Sequence, residues 1–285
     1  MSREWSWIRP SQWSWIKLPH SLTLTGCTAQ NSEPDTIPPR IEHAHGIAAD
    51  PGGDDLLVAT HGGIFTVTAN GEVSGPVGGH VFDAMGFTIA DDTLYASGHP
   101  GPKTPAELGA PNLGIIRSDD YGATWSPVAL NGSTDFHVLT AGPDGTLYGI
   151  ASDGVDVLIS TDDGREWTPG ASLSAADLAA TKDGLFAATE EGLLVSADQG
   201  ATFAPVEGAP ILYTLDVQPD GTLAGVGTDG ALWSQSVDGA WQRLESLQGA
   251  AQAFTVIDTG QFVLIDDRGI VEITPNGTTV IAAAR

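Results

Sequence analysis

Apolar residues along this chain fall in short β-branched or aromatic runs separated by polar turns, and no long stripe at helical spacing interrupts them. One unit recurs six times between residues 41 and 281: an apolar strand, a turn rich in Asp and Gly, and a second apolar strand. The turns are Asp50-Pro51-Gly52-Gly53, Asp91-Asp92, Pro143-Asp144-Gly145, Lys182-Asp183-Gly184, Pro219-Asp220-Gly221 and Asp258-Thr259-Gly260. Strands are predicted directly after them, at residues 56–60, 94–97, 147–151, 185–189, 223–226 and 262–265. Asp suits such turns because its side chain bonds the nearby backbone, and Gly because it accepts a positive φ.

A second pattern of eight residues begins at Ser118, Ser160 and Ser196. Ser118 to Trp125 reads S-x-D-x-G-x-T-W throughout; the copy at Ser160 has Glu166 for Thr, and the copy at Ser196 ends in Phe203. A worn fourth copy lies near Ser234 to Trp241. These segments resemble the Asp-box, or BNR, repeats of sialidase-like propellers. Their intervals of 42, 36 and 38 residues each suit one four-stranded blade. The expected fold is therefore all-β, a six-bladed β-propeller with Asp-box turns over residues 41–281, followed by a short tail at 282–285. Blades that bury their faces only against neighbours must close into a ring. In blade 2 a Gly/Pro-rich insertion at residues 98–113 is long enough to suggest a functional loop.

Composition narrows the partners. The net charge is −25, with 36 acidic against 11 basic residues, which argues against nucleic acid or an anionic membrane and in favour of cations. The single cysteine, Cys27, excludes an intrachain disulfide. Leu24-Thr25-Gly26-Cys27 resembles a bacterial lipobox, which implies a targeting segment at residues 1–27, a Pro-bearing tether at 28–40, and an exported, lipid-anchored or extracellular protein. Lys17, Pro19, His20 and Ser21 interrupt the apolar run that a signal peptide should have. Membrane contact is expected only through that anchor, and the propeller is expected to be a monomer.

Six histidines, His43, His45, His61, His80, His99 and His137, all fall within blades 1 to 3. In a propeller blade the start of the innermost strand shares one face with the loop between the second and third strands, opposite the Asp-box turns. His43, His45, His80 and His137 lie at or just before innermost strands, and His61 and His99 end second strands, so all six map to that face. Glu42-His43-Ala44-His45, Asp83-Ala84-Met85 and Asp135-Phe136-His137 become equivalent, with Asp177 and Tyr213 corresponding in blades 4 and 5. At the next loop level His61 and His99 correspond to Asp153, Glu190, Asp229 and Asp266. Imidazoles with Met85 beside them suit zinc or copper, and the carboxylates suit ligand or supporting roles. A metal ion or a small cationic ligand is the expected partner.

Two other readings compete. The chain is similar over most of residues 41–281 to small bacterial exported proteins labelled glycosyl hydrolases, which implies a glycan substrate. Asp83, Asp135, Glu190 and Tyr213 are the candidate catalytic residues in that case. Sialidases also clamp their substrate with three arginines. Here Arg117 and Arg165 fall on the Asp-box face, Arg243 follows a box-like turn, and only Arg40 and Arg268 lie near the mouth. The last reading is a protein-interaction module, as many propellers are.

Overall fold

The structure, a computed structural model, describes residues 41–284, so Cys27, its flanking segments and Arg40 lie outside the described residues. The described chain forms six antiparallel sheets of four consecutive strands each, arranged as a β-propeller. The innermost strands are Ala44–Ala49, Phe82–Ala90, Phe136–Ala141, Asp177–Thr181, Leu212–Val217 and Ala253–Asp258. Each predicted Asp/Gly turn joins an innermost strand to the second strand of its blade. The last strand, Gly277–Ala283, takes in two residues expected in the tail.

The core sits between blades. Six clusters of buried side chains match the six interfaces, and the cluster of Ala44, Ile47, Val58, Val263, Ile265 and Ile270 joins blade 6 to blade 1. Closure therefore comes from packing two separate sheets together, supplemented by the Ala44 amide donating to Gln252 Oε1 at 3.1 Å. Because no blade has a second face buried by other means, the ring itself removes the exposed ends.

The Ser-x-Asp-x-Gly turns explain their own sequence. In blade 2 the Ser118 hydroxyl donates to Asp120 Oδ1 at 2.8 Å and accepts from Gly122 N at 2.8 Å, while Thr124 N donates to Asp120 Oδ1 at 2.8 Å. The same bonds recur around Asp162 and Asp198. These donors hold all three carboxyls below the usual range, and Asp198 falls to about 2. The closing Trp125 is buried against Phe82, within the cluster shared by blades 1 and 2. In blade 5 the turn is shorter and starts at Ser236, whose hydroxyl meets Asp238 Oδ1 at 2.5 Å.

The blade 2 insertion is anchored rather than loose. Leu108 and Leu113 are buried in the blade 1–2 core, and Asn131 Nδ2 donates to the Leu108 carbonyl at 3.2 Å.

Candidate functional site at the channel mouth

A β-bulge at the start of four innermost strands sets the geometry of the mouth. In blade 1, Ala44 and Gly46 pair with the consecutive residues Thr60 and Ala59, leaving His45 as the extra residue. The same irregularity singles out Met85 in blade 2, His137 in blade 3 and Tyr213 in blade 5. A bulge re-aims the side chain it carries, and all four residues line an axial channel of about 730 Å³. In blade 2, Gly98 adopts φ +138° opposite the bulge, where a Cβ would stand 2.0 Å from the Asp83 carbonyl oxygen. That close approach seats His99 beside Asp83.

Five of the six histidines gather with two carboxylates. His43, His45 and His61 each offer a ring nitrogen within 4.8 Å of the others. The His43 and His61 rings stack at 5.2 Å, with His45 edge-on to both. His45 Nε2 lies 3.2 Å from His61 Nδ1, and Asp83 Oδ1 lies 2.8 Å from His61 Nδ1 and 3.6 Å from His45 Nε2. On the far side of Asp83, its Oδ2 faces His99 Nδ1 at 3.7 Å. His99 Nε2 then faces Asp135 Oδ2 at 3.5 Å, which is 2.8 Å from His137 Nε2.

Burial sets the electrostatics of the innermost imidazole. Desolvation, and then the neighbouring His61, lower His45 to about 4, so it is neutral at physiological pH. Its side chain is 11% exposed, whereas those of His61, His99 and His137 are 56%, 45% and 45% exposed and can turn in the mouth.

Other expected site residues stand apart from this group. His80 turns to the backbone of blade 2, where its Nε2 donates to the Ala123 carbonyl at 3.0 Å within the Ser118–Trp125 turn. Blade 1 has an outermost strand of only two residues, Val73–Ser74, and the chain then crosses toward that turn. Met85 lines the channel. Glu190 is exposed, and the Tyr213 hydroxyl oxygen accepts from Ala251 N at 2.8 Å. Asp229 and Asp266, expected to complete an acidic half of the funnel, are bonded to Arg243 and Arg268. Arg268 also pairs with Glu245, and Arg117 and Arg165 pair with Asp119 and Asp163, so each of these four arginines is already held by carboxylates.

One pair of channel residues was only half anticipated. Asp177 accepts from Leu215 N and Thr214 Oγ1 of the next blade, and Asp216 accepts from Val256 N and Thr255 Oγ1 in the same way. Burial raises both carboxyls against these donors, Asp177 to about 6. Asp216 was missed; a lone carboxylate inside the apolar strand Leu212–Val217 was the available signal.

No protein-family model matches the chain, and no curated protein matches it in sequence. Solved structures do resemble it. A gluconolactonase from Xanthomonas campestris aligns over 81% of this chain and 86% of its own at 12% identity, with a TM-score of 0.60. Virginiamycin B lyase from Staphylococcus aureus aligns over 84% of both chains at 15% identity, with a TM-score of 0.54. A GH74 xyloglucanase from Xanthomonas campestris aligns over 82% of this chain and 44% of its own at 17% identity, with a TM-score of 0.52. At such identities the likeness is one of fold: a propeller shared with lyases and hydrolases.

Proposed function

We propose that the channel mouth binds a divalent transition metal ion of the zinc or copper class through His43, His45 and His61, with Asp83 as ligand or supporting acceptor. The observation that carries this reading is the imidazole triad, whose ring nitrogens all lie within 4.8 Å of one another. Two nitrogens each about 2.0–2.1 Å from a tetrahedral zinc stand about 3.3 Å apart, and the His45–His61 separation is 3.2 Å. Metal ligation needs neutral imidazole, and the depressed His45 meets that need at neutral pH. Three imidazole nitrogens leave the fourth position of a tetrahedral ion to Asp83 or, where Asp83 only supports the imidazoles, to a water or small ligand. The net charge of −25 favours cations at this surface.

The test is zinc content and affinity of the purified full chain, with His61→Ala as the principal variant because that side chain is exposed and its loss spares the core. The reading expects at least one tightly held zinc that His61→Ala or His45→Ala removes. A protein that holds no zinc or copper, and is not stabilised by either ion, sinks it.

A carboxylate-based glycoside hydrolase is the second reading, favoured by Asp83 and Asp135 flanking one imidazole in the open mouth. Among the described residues a sialidase-type arginine clamp finds no support, since Arg117, Arg165, Arg243 and Arg268 are held by carboxylates. The hydrogen bonding of the Ser-x-Asp-x-Gly turns favours reading them as Asp-box repeats. Export with a lipid on Cys27 belongs to this proposal and rests on Leu24 to Cys27.

A further inference from the structure

The triad leaves three groups of the same mouth unused: His99, Asp135 and His137. Asp135 is the informative one. Its side chain is 4% exposed, its Oδ2 faces His137 Nε2 at 2.8 Å and His99 Nε2 at 3.5 Å, and its Oδ1 is buried with no hydrogen-bond donor. A buried carboxylate oxygen without a donor is rare and costly in folded proteins, and a cation is one of the few partners that relieves it.

Asp83 stands between the two groups. Its Oδ1 faces His61 and His45, while its Oδ2 faces the Nδ1 of His99. At 3.7 Å His99 Nδ1 is just beyond hydrogen-bonding distance of Asp83, so an inward swing of the ring would let Asp83 accept its Nδ1 hydrogen and leave Nε2 bare, the arrangement that orients histidine ligands in metal proteins. The Nε2 of His99 is the atom directed at Asp135.

We infer that the mouth holds two metal ions: one at His43, His45 and His61, and a second at His99, Asp135 and His137, coupled through Asp83. This inference rests on the metal reading above and adds a second site to it. His99 and His137 flank Asp135 Oδ2 without meeting the spacing of the first triad, so their half-exposed rings must swing inward to close on an ion. The second ion therefore binds after the first and more weakly. The site offers two imidazoles and one carboxylate, a donor set suited to zinc rather than to calcium or magnesium, which prefer oxygen ligands alone.

The experiment is calorimetric titration of the chelator-stripped full chain with zinc chloride, paired with metal content after gel filtration and circular dichroism of every variant. Two steps are expected, totalling two equivalents. His137→Ala, chosen because that side chain is half exposed, should remove the second step and leave the first. Asp135→Asn should do the same, and His61→Ala should remove the tight first step. One equivalent that neither His137→Ala nor His99→Ala alters would overturn the second site while leaving the first intact. No zinc binding at all would overturn the underlying reading and this inference with it.

Discussion

Replacing His45 by Gln removes the imidazole that burial, and secondarily His61, lower from 6.5 to about 4. The folded protein with neutral His45 binds fewer protons than the unfolded chain between those values, so the stability this residue contributes is fully present above pH 6.5 and is lost as pH falls through 4. Asp177 acts in the opposite sense. Its carboxyl is raised from 3.8 to about 6 by burial, so its contribution is lost as pH rises from 3.8 through 6. A tenfold change in proton affinity is worth about 1.4 kcal/mol, so each contribution amounts to at most about 3 kcal/mol, and the two nearly cancel in the wild type. Single variants should therefore tilt the pH profile in opposite directions. Relative to wild type, metal-free His45→Gln should become more stable as pH drops from 6.5 to 4, and Asp177→Asn should become less stable over the same interval. Guanidinium unfolding at several pH values, in the presence of a chelator, measures both profiles, and using differences from wild type cancels the many surface carboxylates. Profiles of His45→Gln and wild type that run parallel would refute the claim that His45 is held neutral by its surroundings.

Three further outcomes are expected. Trp125→Ala should destabilise the propeller by about 3–5 kcal/mol in denaturant unfolding, since Trp125 fills the interface between blades 1 and 2; a loss below about 1 kcal/mol would mean the turn aromatic does not seal that interface. Expressed in a bacterial host, the full chain should carry a lipid, detected by mass spectrometry, that Cys27→Ser abolishes; an unlipidated cytosolic wild type would remove the export reading. If the hydrolase reading holds, a panel of aryl glycosides should include one substrate whose turnover Asp135→Asn abolishes, and a fully inactive panel would count against it.

Much of the fold was legible because its signals are local. The Asp/Gly turns and the Ser-x-Asp-x-Gly segments fix where each hairpin bends, and six repetitions fix the blade number. Aligning the blades also placed His43, His45, His61, His99 and His137 on one mouth, because the entries of innermost strands and the ends of second strands lie at the same face of the ring. His80 escaped that logic. It lies in a connection between blades, where the length of the outermost strand, and not any repeat, decides the path. Two carboxylates of the expected acidic half are also engaged in a way the repeats do not show: Asp229 and Asp266 pair with Arg243 and Arg268, which approach from the outer strand and the same hairpin. The bulges that turn His45, Met85, His137 and Tyr213 toward the axis depend on pairing register, which a single sequence does not display.

The central claim, that the imidazole triad is a metal centre, is tested most directly by competition of the chelator-stripped full chain against a colorimetric zinc chelator of known affinity. At neutral pH the wild type should withdraw at least one zinc from the chelator, and a folded His61→Ala variant should withdraw one fewer. Equal withdrawal by both proteins, or none by either, would contradict it.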